Sequence, residues 1–145
     1  NYNSNLVSDS TSSWYYLRDS ATYAARYGRL YTWYVATSEG FTPEGWRMPI
    51  NADFEVLKTA VASTEAEQFA ALGVDGSSGF ELELAGIRFR TGLFEDLGDR
   101  AYLHGGREGS DATSSEMLLF NPNTQQANIT EGNKANAHSI RLIKE

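Results

Sequence analysis

The chain reads as an α+β domain, with its helices gathered in the first half and short antiparallel strands in the second. Three observations predict this. An amphipathic segment starts directly behind Pro49, with Phe54, Leu57 and Val61 at i, i+3 and i+7. From Phe80 the apolar period falls to two, in FELELAGIRFR. Beyond Gly98, short β-prone runs alternate with Gly-Asp, Gly-Gly, Asn-Pro-Asn and Gly-Asn breaks. Residues 1–145 are expected to form a single domain, long enough to bury a core without cross-links.

Taken in order, residues 1–13 are polar, with only Tyr2, Leu6 and Val7 able to pack, and read as loop. The aromatic run Trp14, Tyr15, Tyr16 and Leu17 reads as a strand end or a core-covering turn. Asp19 or Ser20 caps a first helix, ATYAARY, which Gly28 ends and which places Tyr23 and Tyr27 on one face. The tract RLYTWYVA is too uniformly apolar for a half-exposed strand, so it is either a buried strand or a helical continuation. Asn51 is the expected N-cap of the central helix, with Asp53 and Glu55 in its first turn, where unpaired amides and the helix dipole favour carboxylates. Thr64 and Glu67 form a capping box ahead of a helix stopped by Gly73. In FELELAGIRFR, Phe80, Leu82, Leu84, Ile87 and Phe89 face inward and Glu81, Glu83, Arg88 and Arg90 outward, with Ala85-Gly86 a tight turn or bulge. Further strands are expected at 100–104, 117–120, 126–130 and 139–143.

Composition narrows the function classes. Twelve Lys and Arg against nineteen Asp and Glu give a formal charge of -7, and no basic cluster stands out, which argues against nucleic acid or an anionic membrane as partner. No apolar run approaches the roughly 18 residues of a transmembrane helix, and no signal peptide is visible, so direct membrane insertion is not expected. Cysteine is absent, which removes thiol nucleophiles, thiolate-bound zinc and disulfides. Thirteen Gly, nine Asn and only three Lys make a polar, weakly charged surface that leans towards an extracytoplasmic protein.

Several tracts together resemble one known family. YGRLYTWYVA, then TPEGWRMPINADFEVL, then a Gly-rich stretch and a closing SIRLIKE are similar to the Fibrobacter succinogenes major paralogous domain, over roughly residues 21–144. Tyr27, Gly28, Leu30, Tyr31, Trp33 and Tyr34 match its first element, and Pro43, Gly45, Trp46, Arg47 and Pro49 its second. Asp53, Phe54 and Leu57 match its acidic-aromatic helix, and Ser139, Ile140 and Arg141 its last strand. The resemblance implies a C-type-lectin-like fold, with two or three helices in the first half packed on a twisted antiparallel sheet of short strands. It also implies secreted or outer-membrane lipoproteins of Bacteroidetes and Fibrobacteres. Thr42 and Leu142 stand where relatives carry cysteines, and AYLHGGRE replaces a WSST element. The family's leading segment is missing ahead of Asn1, so a first strand is expected from a further segment or subunit.

For chemistry the chain offers little that points to catalysis. Ser-x-x-Lys, GxSxG and HExxH are all missing, and Glu81 with Glu83 is explained by alternation on a solvated face. Enzyme activity, a metal-assisted or serine hydrolase, is therefore the third reading. No cofactor is expected, although the acidic cluster Glu95, Asp96 and Asp99 has the oxygen chemistry of a structural calcium. Trp33 and Trp46 read as core, Trp46 with part of its ring exposed by the Gly45–Pro49 turn. His104 reads as a loop histidine among glycines. The expected ligand face is the loop-rich stretch 99–136, with Tyr102, His104, Arg107, Glu108, Asn121, Asn123, Gln126 and Asn128 presenting amides, a guanidinium and an aromatic ring to a glycan or protein surface. The primary expectation is a non-enzymatic extracytoplasmic binding domain, secreted or anchored at the bacterial outer surface. A structural or adhesive subunit of a cell-surface or fimbrial assembly is the alternative.

Overall fold

The computed structural model describes residues 13–145. The loop expected for residues 1–12, and the expected leading strand, lie outside the described residues. The described chain is α+β, with four α-helices and a mostly antiparallel sheet of short strands, one helix more than expected.

Strand β1 (Ser13–Trp14) leads through a 3-10 turn at Tyr16–Arg18 into helix α1 (Ser20–Tyr27). Asp19 is the N-cap of α1, its carboxylate accepting from the Thr22 amide at 3.1 Å and the Thr22 hydroxyl at 2.6 Å. The ambiguous apolar tract is both structures at once: strand β2 (Leu30–Thr32) followed by one helical turn, α2 (Trp33–Ala36). Strand β3 (Trp46–Arg47) precedes helices α3 (Asn51–Val61) and α4 (Glu65–Leu72). The second half holds β4 (Ala85–Arg88), β5 (Phe94–Leu97), β6 (Ala101–Glu108), β7 (Ser114–Asn121), β8 (Gln126–Asn133), β9 (Ala137–His138) and β10 (Ile143–Lys144).

The main sheet has the order β1-β2-β9-β4-β6-β7-β8, with β5 hydrogen-bonded to β4, and every pair but β4–β6 is antiparallel. Helices α3 and α4 cover one face of the β6–β7–β8 meander, where Phe54, Leu72, Leu82, Leu103, Leu118 and Phe120 form the largest core cluster. The apolar stripe of α3 thus lies where its spacing requires. Burying Phe54 contributes about 2–3 kcal/mol. A second cluster, of Trp14, Tyr16, Leu30, Ala85 and Ala137, joins the two ends of the chain.

Several local expectations are corrected. FELELAGIRFR is a strand only over Ala85–Arg88, because Glu81 has a positive φ and breaks the alternation before it starts. Arg88 does not face solvent: it is 1% exposed, with its guanidinium 3.8 Å above the Trp14 ring. Gly86 explains the Ala85-Gly86 irregularity. It sits at φ +66° between β5 and β6, and a Cβ there would collide with the Glu95 carbonyl. Residues 139–142 link β9 to β10 and are not a continuous strand. Trp46 is 42% exposed and is not core, since β3 lies in a separate two-stranded ribbon with β10.

That ribbon ties the GWRMP turn to the C-terminal end, with Ile143 opposite Arg47 and Lys144 opposite Trp46. Behind it, the start of α3 is capped differently from expectation. Ile50 occupies the N-cap position, and Asn51 is the first helical residue. The Asp53 carboxylate accepts from the Ile50 amide at 2.8 Å, and Glu116 reaches across from β7 to accept from the Asn51 amide at 2.9 Å. Arg47 grips Asp53 through two bonds, of 2.6 and 2.8 Å. This fork, with the Ile50 amide, holds the Asp53 carboxyl down at about 2. Its contribution is therefore in place above the ordinary carboxylate value and is lost as pH falls through about 2. Asp53→Asn is expected to cost about 1–2 kcal/mol near neutral pH, less than a fully buried pair because the fork is part-exposed and screened. Urea unfolding of the variant and of Arg47→Gln checks this; non-additivity in the double variant is expected, and additive losses would rule out the fork.

Candidate functional site

The residues expected to form a ligand face divide into three groups. Tyr102 and His104 are buried on β6, at 8% and 0% exposure. AYLHGGRE is strand throughout, so His104 is a core residue and not a loop histidine. Asn121, Asn123, Gln126 and Asn128 gather at the β7–β8 turn, where the Asn121 side chain accepts from the Asn123 amide and Gln126 bonds Glu65 of α4. Arg107 and Glu108 lie at the far end of β6, since Ala101 is opposite Phe120 while Glu108 is opposite Ser115. Seven residues of strand, about 23 Å, separate those two ends. The stretch 99–136 is mostly paired strand, and it does not bring these groups into one site.

Most of them have structural partners. Glu108 accepts from the buried Lys134 ammonium at 2.6 Å. Lys134 also donates to the Ala112 carbonyl at 2.9 Å and lies 4.6 Å from the centre of the Trp33 ring. Tyr102 donates to Asp96 at 2.5 Å, and burial together with that carboxylate pushes the phenol up to about 12. Asp96 is thereby turned towards Tyr102 and Arg100, and it is not gathered with Glu95 and Asp99 into a cation site. Among the described residues, no group of three or more His, Asp or Glu is placed to hold a metal ion.

The two histidines were not expected to meet. His104 on β6 and His138 on β9 stack at 4.2 Å between ring centres, and the Tyr102 ring also stacks with His138, at 5.4 Å. A ring nitrogen of His104 lies 2.9 Å from the Tyr31 carbonyl, while neither ring nitrogen of His138 has a hydrogen-bond partner among the described residues. Burial drives His104 down to about 4, and burial with the His104 ring alongside drives His138 well below its ordinary value. Both rings are neutral in the fold. No spacing rule pairs residues 34 apart, so only the sheet order reveals the contact.

The structure points to a different cavity. A cleft of about 400 Å³ lies between the end of α1 and the segment after β9, lined by Arg26, Tyr27, Arg29, Tyr31, Ser139 and Arg141 among others. A second cleft of about 520 Å³ is apolar, with Phe69, Val74, Leu82, Leu84, Phe120 and Pro122 on its walls. Both clefts are bordered by Arg26, Tyr27, Leu82 and Glu83, so they adjoin at the Arg26–Glu83 ion pair of 2.9 Å and together make up the α1 groove. One half is cationic and aromatic, the other apolar. Sequence reading missed it because Arg141 is distant in the chain from Arg26 and Arg29. The one available signal was local: Arg26 and Arg29 are interleaved with Tyr27 and Tyr31 in an otherwise acidic protein.

A helix-covered, mostly antiparallel meander defines an α+β domain. The chain belongs to the Fibrobacter succinogenes major domain family, whose sequence model matches residues 2–144. No curated protein and no solved structure matches the chain.

The neutral histidine stack makes acid sensitivity a direct consequence. Unfolded imidazoles titrate near 6.5 and the folded ones below that, so the unfolded chain binds more protons on the acid side and stability falls as pH drops below 6.5. Each histidine contributes up to about 1.4 kcal/mol per pH unit there. Urea midpoints between pH 7 and 5 are expected to fall steeply in the native protein and about half as steeply in His138→Phe; equal slopes would overturn the assignment.

Proposed function

We propose that this protein is a non-enzymatic, extracytoplasmic binding domain of C-type-lectin-like fold that holds a glycan chain along the α1 groove. The observation that carries this reading is the groove itself: two adjoining surface clefts, one lined by Tyr27, Tyr31 and three arginines, the other mostly apolar. Aromatic rings beside planar polar donors match the alternating apolar faces and hydroxyl edges of sugars. The absence of catalysis is part of the proposal. Among the described residues neither histidine bonds a serine hydroxyl or a carboxylate, and burial keeps both rings neutral. Attachment at the bacterial outer surface belongs to the same reading, in keeping with a polar surface rich in Asn and Gly and poor in Lys.

A specific feature favours a second reading, an adhesive or structural subunit. Strand β8 runs for eight residues and is hydrogen-bonded on one side only, to β7, among the described residues. An open edge of that length can take a strand from another chain.

The test is a glycan array read with and without calcium, for the native protein and for Ala25→Trp. Ala25 lines the first cleft and is exposed on α1, so the indole fills the groove at little cost to the fold. Calcium-independent binding by the native protein and loss of signal in Ala25→Trp are expected. Retained signal in Ala25→Trp would exclude the groove, and no signal with any glycan would exclude the reading.

A further inference from the structure

Within that groove, the positive charge has a definite arrangement. Arg26, Arg29 and Arg141 line the first cleft with one carboxylate, Glu83, and that carboxylate is already taken by Arg26. Arg29 and Arg141 have no carboxylate within ion-pairing distance among the described residues. In a protein of formal charge -7, two such arginines lining one cleft are a local reversal of sign.

Both groups are held in place by contacts that leave most of their donors unused. Arg29 lies 4.4 Å above the Tyr15 ring and spends one nitrogen on the Ser13 hydroxyl at 2.8 Å. Arg141 lies 5.3 Å from the centre of the Phe80 ring and spends one nitrogen on the Glu81 carbonyl at 3.0 Å. A guanidinium carries five N–H donors in a rigid fork, so each retains the geometry that binds a carboxylate through two parallel bonds. They come from different parts of the chain, the turn after α1 and the segment after β9, and meet only because the sheet brings those parts together.

The surroundings favour a saccharide over a peptide. A peptide in a groove beside a sheet gains most from adding its backbone to an open edge. The strands beside this cleft offer no such edge: β2 is paired with β1 and β9, and β4 with β5 on one side and with β9 and β6 on the other. What remains is ring faces, hydroxyls and guanidinium forks.

We infer that the cationic half of the groove selects sugar units bearing a carboxylate, with Arg29 and Arg141 as the charge-assisted anchors. This rests on the glycan-binding reading of the groove and names its ligand class.

The test is calorimetric titration with tetragalacturonic acid, with the methyl ester of the same oligosaccharide and with tetraglutamate, in chelator to remove calcium bridging. The acid is expected to bind at least about tenfold more tightly than its ester, since a charge-assisted bond is at stake. Arg29→Gln and Arg141→Gln should each lose about tenfold for the acid, with the ester little changed and the melting temperature retained. Equal affinity for acid and ester would overturn the acidic selectivity and leave the groove reading standing. Tetraglutamate binding as tightly as the uronate would overturn the saccharide assignment. No binding of the acid, beside a positive array signal lost in Ala25→Trp, would place a neutral glycan in the groove and overturn this inference alone.

Discussion

Ala137 and His138 are the residues through which β2 is bonded to the larger part of the sheet, because β9 pairs with β2 on one side and with β4 on the other. A strand of two residues has few ladder bonds to offer, so side-chain burial has to do the rest. Ala137 is fully buried, and His138 stacks with both Tyr102 and His104, its ring nitrogens unpaired among the described residues. Burying an imidazole this way is tolerable only while it is uncharged, since a buried unpaired charge costs several kcal/mol. The join between the two ends of the chain therefore depends on two rings staying neutral. The same two residues set the path of the chain beyond β9, as Ser139 exchanges backbone bonds with Tyr102 and His104 of β6.

That join also shapes the groove. The segment after β9 passes opposite the end of α1, which puts Arg141 on one wall and Arg26 and Arg29 on the other. Further on, the ribbon of β10 and β3 fastens the chain end to the GWRMP turn, where Arg47 and Asp53 fix the start of α3. Helix α3 in turn presents Phe54 to the sheet. The most conspicuous sequence tract is thus a structural anchor, and the arginine-lined cleft lies elsewhere, between α1 and the segment after β9.

How much of this was legible in the sequence depends on the range of the interactions. Elements whose signals are local were read correctly: the Asp19 cap of α1, the Thr64–Glu67 capping box, the stripe of α3 and the first three strands after Gly98, although Gly105-Gly106 and Gly132-Asn133 lie within strands and do not break them. Errors arose where a distant partner overrides a local pattern. Glu116 caps α3 from 65 residues away, so Asn51 is not needed as the cap. Trp14 draws Arg88 into the core against its polar character. The polar residues of 99–136 looked like loop ligands, but strand pairing sends Tyr102 and His104 inward and holds the Asn121 and Glu108 ends apart. The groove was invisible because its three arginines come from positions up to 115 residues apart.

The central claim is that ligand is met between α1 and the segment after β9, not at the β7–β8 turn. Amide chemical-shift mapping in ¹⁵N-labelled protein titrated with tetragalacturonate tests it most directly. Shifts concentrated at residues 24–31, 82–85 and 139–141 are expected. Shifts concentrated at residues 121–128, with the α1 groove silent, would contradict it.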